Sequence, residues 1–227
     1  MKQRLLIPAA GMGRRLGKDL PKALVPLRGE PMLLVTLRRF LFLPINEPVI
    51  IIFPPGYEKA FKEMLISFPV PVALVEGGGE RQDSVQRGLR LVGKESGIVI
   101  IHDAARPFVS QQEISSVIRG AEQYDAATLA IPTTDTILEE DGLSFLQHTP
   151  DRSRLWCCQT PQVFKTQVIC GAYNWAEENK VTCTDDATLV HKSGHVVQLV
   201  RGKASNFKIT TSDDLMYADF LLEGGWI

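Results

Sequence analysis

Several things are scarce in this 227-residue chain, and each absence excludes a class of function. Net charge is nearly absent: 25 Lys and Arg stand against 26 Asp and Glu, a formal −1, with no acidic or basic tail. Proteins that coat DNA or anionic membrane with their whole surface are usually basic, so neither nucleic acid nor membrane is an expected partner. A small, dense focus of cations remains compatible with the balance. Cysteine is rare, and Cys157, Cys158, Cys170 and Cys183 form no C-x-x-C pair. Free thiols in a reducing cytosol are the expectation, and a cytoplasmic location with it. The start, MKQRLLIPAAGMGRR, meets Pro8 too early for a signal peptide, and no run is long enough to span a bilayer. His148, His191 and His195 share no metal-ligand spacing. There is no G-x-S-x-G elbow, and the aromatic residues are too dispersed for a base-stacking platform.

What is present is an α/β rhythm. Leu5–Ala10, Pro48–Phe53, Val72–Val75, Ile98–His102 and Ala126–Ile131 are short apolar runs of the kind that form parallel strands covered on both faces. Helical patterns separate them. Pro31–Leu43 carries a proline in its first turn, Val85, Leu89 and Val92 recur at helical spacing, and Ser110-Gln-Gln-Glu113 is a capping box. Further on, helices are expected at Lys165–Glu178, Asp186–His191 and Ser212–Leu222, and strands at Val196–Val200 and Phe207–Thr210. Between them, 133–159 carries a Glu-Glu-Asp-Gly turn and too little apolar content to bury itself, so it reads as a β-hairpin arm. Such an arm folds over the site or packs on another subunit. The expected architecture is one domain over 1–227: a mostly parallel sheet flanked by helices, with a protruding arm. In such sheets ligands sit beyond the carboxyl ends of the strands.

Three loops follow strands there. In PAAGMGRRLGKDLPKAL, Gly11 and Gly13 permit close approach of backbone to a ligand, Pro8, Ala9 and Ala10 leave room, and Arg14, Arg15 and Lys22 supply charge. Pro21 fixes the chain so that the Lys22 ammonium returns to the same pocket. Leu16 replaces the third glycine of a dinucleotide fingerprint, and Asp19 replaces the Ser or Thr of a Walker loop. In Gly77–Val85, consecutive glycines suit the edge of a flat base, while Asp83 or Ser84 equally serves to cap a helix. In HDAARPF, Asp103 ends a strand, and a carboxylate facing phosphates makes sense as a Mg²⁺ ligand. Arg106 offers a planar fork for a second phosphate, whereas His102 reads as a core residue.

In order along the chain, PAAGxGRR, PK, GGxxRxxSV, HDAARP, DT, DR, TPQ, TDD and K-[IV]-T resemble the 2-C-methyl-D-erythritol 4-phosphate cytidylyltransferases, from Pro8 to Thr210. The same motifs serve the related ribitol 5-phosphate cytidylyltransferases. The resemblance implies a Rossmann-like α/β fold and a homodimer joined through the arm. It implies transfer of CMP from CTP to methylerythritol 4-phosphate with release of pyrophosphate, and Mg²⁺ as cofactor. Arg15 and Lys22 would stabilise the transition state. Pro8, Ala9, Ala10, Gly11 and Ala104 would hold the nucleotide, with Gly78, Gly79 and Ser84 at its base and ribose and Asp103 at the metal. Arg106, Thr136, Arg152 and Lys208 would hold the sugar phosphate, Thr136 and Arg152 coming from the partner's arm. The family usually has Gln where Ala23 stands, and often an acidic or polar residue at Gly79, so base recognition falls on backbone groups. A binding module without turnover would not need Arg15, Lys22, Asp103 and Lys208 together.

Overall fold

The computed structural model describes residues 1–93 and 97–225, apart from the side chain of Arg14. Eleven strands, seven α-helices and three short 3₁₀ turns lie within these residues. The first half runs β1 (Gln3–Pro8), β2 (Pro26–Leu27), β3 (Glu30–Pro31), α1 (Met32–Arg38), β4 (Val49–Phe53), α2 (Glu58–Leu65), β5 (Val72–Glu76), α3 (Arg81–Leu89), β6 (Ile98–Ile101) and α4 (Gln111–Tyr124). The second half runs β7 (Ala126–Pro132), β8 (Glu139–Glu140), β9 (Leu146–His148), β10 (Trp156–Lys165), α5 (Thr166–Asn179), α6 (Asp186–Lys192), β11 (Gln198–Arg201) and α7 (Ser212–Glu223).

Seven strands form one sheet in the order β11-β7-β10-β6-β1-β4-β5. Only β10 runs antiparallel to its neighbours. The alternation along each strand shows why the core has two sides. Leu5 and Ile7 of β1 join Ile51, Ile98 and Ile100 against α1, α2 and α4. Leu6 joins Ile50, Ile52, Val99 and Ile101 against α3, α5 and α6. Successive side chains of a strand point to opposite faces, so a run of uninterrupted Ile and Val serves both layers at once. Chain order reverses about β1, with β4 on one side and β6 on the other. That is the switch point where an open α/β sheet leaves a crevice.

Three expectations need correction. Phe207–Thr210 is no strand: it is an extended tether held to the site loop by Ile209 N–H donating to the Ala105 carbonyl at 2.9 Å. Its apolar character comes from Ile209, fully buried in a third cluster with Phe108 and Ala218. The run Trp156–Lys165 is a ten-residue strand rather than the end of the arm and the start of a helix. The arm therefore leaves the sheet after Pro132 and rejoins it at Trp156, so 156–159 belong to β10. Helix α1 stops at Arg38, with turns rather than helix over the next residues.

The arm itself carries the expected hairpin, with Glu139 opposite His148 and Glu140 opposite Leu146. Asp141 closes the turn, its Oδ1 accepting from the N–H groups of Leu143 and Phe145. Leu138, Leu143, Phe145 and Leu146 are all more than 60% exposed. A hairpin of this composition has no core of its own, and such apolar patches mark interaction surfaces. Among the described residues, no helix is long and apolar enough to cross a membrane.

Candidate active site

A cleft of about 450 Å³ lies at the carboxyl ends of β1, β5 and β6, where the three glycine-rich or acidic loops meet. The loop after β1 contributes Pro8, Ala9, Ala10, Gly11, Arg15 and Lys22. Its shape follows from backbone bonds that fold it onto itself. Gly13 N–H donates to the Leu20 carbonyl at 3.0 Å, and Lys22 N–H donates to the Gly11 carbonyl at 2.9 Å. Lys22 thus returns beside Gly11 although eleven positions separate them. A Cβ on Gly13 would stand 2.8 Å from the Leu20 oxygen, so the closure admits only glycine there without a shift.

The loop after β5 brings Gly78, Gly79 and Ser84 to the same cleft. Glu80 and Asp83 form a capping box at the start of α3, which fixes the direction in which the loop enters the helix. Ser84 Oγ accepts from Gly78 N–H at 3.1 Å and donates to the Glu80 carbonyl at 2.9 Å. A Cβ on Gly78 would lie 2.4 Å from Asp83 Cβ, whereas one on Gly79 meets only Asp83 Oδ2 at 3.8 Å. Gly78→Ala is therefore expected to lose about 1–3 kcal/mol of stability by overpacking, while Gly79→Ala is near neutral. Paired thermal melts of the two variants check this, and equal melting temperatures would refute the packing argument.

The loop after β6 contributes Asp103 and Ala104. It is pinned from behind: Thr36 Oγ1 donates to the Ala104 carbonyl at 2.8 Å, and Asp103 N–H donates to Thr160 Oγ1 at 3.0 Å. His102 is fully buried, with Nδ1 3.0 Å from Thr160 Oγ1 and Nε2 2.9 Å from the Arg106 carbonyl. Burial pushes its pKa down to about 4. It is a neutral brace of the loop, not an acid or base.

Lys208, carried by the tether after β11, completes the cleft. Its Nζ lies 2.7 Å from Asp103 Oδ2. Burial works against ionisation of Asp103, but Arg81, Lys208 and Arg106 outweigh it and hold the carboxyl well below the usual carboxylate range. Lys22 feels the opposite field. Burial first, then repulsion from Lys208 and Arg15, lowers its pKa to about 8 against the pull of Asp103 and Asp214. Cations from three distant parts of the chain therefore crowd one point and strain for an anion.

The structure does not bring every expected residue here. Arg106 does not line the cleft: Nη1 donates to the Asn206 carbonyl at 2.7 Å and Nη2 to the Cys158 carbonyl at 3.2 Å. These bonds brace the loop, while its buried Nε has no partner among the described residues. Thr136 and Arg152 lie exposed in the arm, and Arg152 Nη1 donates to the Thr134 carbonyl at 2.8 Å. Neither lines the cleft. The side chain of Arg14 lies outside the described residues. Sequence reading missed Arg81, which enters the cleft from the first turn of α3 and pairs with both Asp103 and Asp186. The only signal for it was its place in GGxxRxxSV.

The donor set suits a hard divalent cation held largely by its substrate. Among the described residues no three His, Cys, Asp or Glu side chains cluster to cage an ion. A single carboxylate beside a phosphate cradle fits Mg²⁺, which commonly takes one or two protein oxygens and completes its shell from substrate phosphates and water.

Comparison with known proteins identifies a family. The family model for 2-C-methyl-D-erythritol 4-phosphate cytidylyltransferase (IspD) matches residues 4–224. A relative of that name from Bacillus velezensis is 39% identical over 226 residues, covering 98% of this chain and 97% of its own. Another from Symbiobacterium thermophilum is 40% identical over 219 residues, covering 96% and 92%. Among solved structures, the cytidylyltransferase from Thermus thermophilus superposes with a TM-score of 0.82 at 34% identity, over 98% of this chain and 100% of that one. The 4-diphosphocytidyl-2C-methyl-D-erythritol synthase of Anaerococcus prevotii gives 0.85 at 27%, over 98% of both chains. With its fold and nearly its whole length matched, the chain belongs to the 2-C-methyl-D-erythritol 4-phosphate cytidylyltransferase family.

Proposed function

We propose that this protein transfers CMP from CTP to 2-C-methyl-D-erythritol 4-phosphate, giving CDP-methylerythritol and pyrophosphate. The observation that carries the reading is the convergence of Arg15, Lys22 and Lys208 with Asp103 between two glycine loops in a chain of this family. The acceptor's phosphate attacks the α-phosphorus in line and pyrophosphate leaves, so no covalent nucleophile is needed. Two anions must meet, and negative charge gathers on the non-bridging oxygens of the pentacoordinate phosphorus. Catalysis is then positioning plus fixed positive charge. Arg15 and Lys22 bind the α-phosphate, and their hold strengthens as its charge grows. The Gly11 loop carries the remaining phosphates, and Gly78, Gly79 and Ser84 take the base and ribose. Asp103 would hold Mg²⁺, which when bound would neutralise phosphate charge. Lys208, with Thr136 and Arg152 from a partner's arm, aims the attacking phosphate. The exposed apolar hairpin of the arm supports a homodimer of single-domain subunits. The four free cysteines suit a reducing, cytoplasmic setting.

Pyrophosphate release from CTP with methylerythritol 4-phosphate tests the assignment, with ribitol 5-phosphate as the control acceptor. Preference for ribitol 5-phosphate, or no release with either, would overturn it. The depressed Lys22 adds a pH signature. Its amine is cationic below about pH 8 and neutral above, so kcat/KM for CTP falls as pH rises through that value. Lys22→Arg keeps its charge at higher pH and moves the falling limb upward. A wild-type profile flat to well above pH 9 would contradict the role of the ammonium.

A further inference from the structure

Arg81 stands at a junction that the reaction as derived does not use. It is the first residue of α3, directly after the glycine loop. Its Nε lies 3.4 Å from Asp103 Oδ1, and its Nη2 lies 2.8 Å from Asp186 Oδ2. Asp186 cannot follow a moving partner. It is 1% exposed, its Oδ1 accepts from the Tyr173 hydroxyl at 2.5 Å, and its N–H donates to Gln162 Oε1 at 3.0 Å. The guanidinium is therefore anchored at the back and reaches only one oxygen of Asp103. The other oxygen, Oδ2, is the one that Lys208 meets in the cleft.

We propose that Arg81 is a positioning residue that fixes Asp103 by Oδ1, while Asp186 cancels its charge so that Oδ2 stays anionic toward a divalent cation. The proposal rests on the reading of Asp103 as the Mg²⁺ ligand. Charge counting shows why both partners are needed. Asp186, Arg81, Asp103 and the Lys208 ammonium on Oδ2 sum to zero, so a divalent cation that displaces Lys208 meets no net repulsion. Without Asp186, Arg81, Asp103 and Lys208 sum to +1 and would repel one. A lone Asp103 would keep its charge but not its direction. Outer partners that orient a metal-binding side chain matter in this way because they fix its geometry and its basicity together.

The test measures CTP affinity by calorimetry with Mg²⁺ and again with EDTA, without acceptor, so that no turnover occurs. The ratio of the two affinities reports the contribution of the cation. Asp103→Asn should abolish the gain from Mg²⁺. Arg81→Gln should reduce the gain about tenfold, in line with the loss of an orienting partner, and Arg81→Lys should restore part of it. A residue that merely supports the loop would weaken CTP equally in both conditions and leave the ratio unchanged, which would overturn the proposal. Should Arg81→Gln fail to fold, Asp186→Asn serves instead. It leaves the guanidinium uncompensated on Asp103 and must also lower the ratio, and an unchanged ratio there overturns the proposal equally. If Asp103→Asn keeps the full Mg²⁺ gain, the metal reading itself falls. If only Arg81→Gln keeps it, the metal reading stands and Arg81 is structural.

Discussion

Lys22→Ala should lose at least about 10²–10³ in kcat while the protein remains folded. The size of the loss follows from where the ammonium sits and when it acts. Lys22 lines the cleft and is crowded by Lys208 and Arg15. A ground state without substrate is therefore the state in which its charge is least welcome. Bound triphosphate relieves that repulsion, and the transition state relieves it further, because the α-phosphate then carries more negative charge. An interaction that grows along the reaction lowers the barrier, whereas one that is constant only lowers KM. A transition-state contact worth about 3–4 kcal/mol accounts for the stated factor. The fold should survive, since the loop is closed by the backbone N–H of Lys22 donating to Gly11, which alanine retains. Arg15→Ala should behave likewise. A folded Lys22→Ala variant with near-normal kcat, judged by melting temperature and single-turnover rate, would remove Lys22 from the chemistry.

How much of this was legible beforehand depended on whether a residue's partners were near in sequence. The parallel strands were legible because Val49–Phe53 and Ile98–Ile101 are buried on both faces and so contain no polar interruption. Strand β10 was not, because Gln159, Thr160, Pro161 and Gln162 break the apolar pattern. They are buried for reasons invisible locally: the Gln162 amide oxygen accepts from the N–H groups of Asp186 and Ala187, and Thr160 meets His102 and Asp103. Helix α2 was missed between Gly56 and Pro69, although Phe61 and Leu65 stand one helical turn apart there and both are buried. Phe207–Thr210 was mistaken for a strand since burial of Ile209 leaves the same trace as a ladder position.

The site shows the same division. Residues on the three loops share the strand-to-loop transitions that bound them, so Gly11, Gly78 and Asp103 could be placed by topology. Arg106 and Arg81 could not. Arg106 reads as a phosphate clamp and Arg81 as a surface arginine, and their partners lie 100 and 105 positions away at Asn206 and Asp186. Arg106, expected on a phosphate, donates to two backbone carbonyls here, and Arg81, not expected at all, stands beside the carboxylate.

The arm supplies the second large effect. Arg152 and Thr136 lie outside the cleft of their own chain, on a segment that rises from the sheet with apolar residues exposed. If Arg152 acts on the acceptor phosphate, the site it serves belongs to another subunit. Two-fold symmetry then turns one substitution into a test of geometry. Lys22→Ala homodimers lack the α-phosphate contact at both sites, and Arg152→Ala homodimers lack the acceptor contact at both. In a hybrid, the cleft with intact Lys22 receives the arm with intact Arg152, so one site is whole and the other carries both lesions. Random exchange at equal concentrations should restore roughly a quarter of wild-type activity, because half the dimers are hybrids with one working site. A site completed within one chain predicts a different outcome, since every site of every species would then carry one lesion. Absence of rescue in hybrids verified by differential tags would place Arg152 outside the reaction, or in the cleft of its own subunit, and would leave the apolar hairpin as a joint between subunits and nothing more.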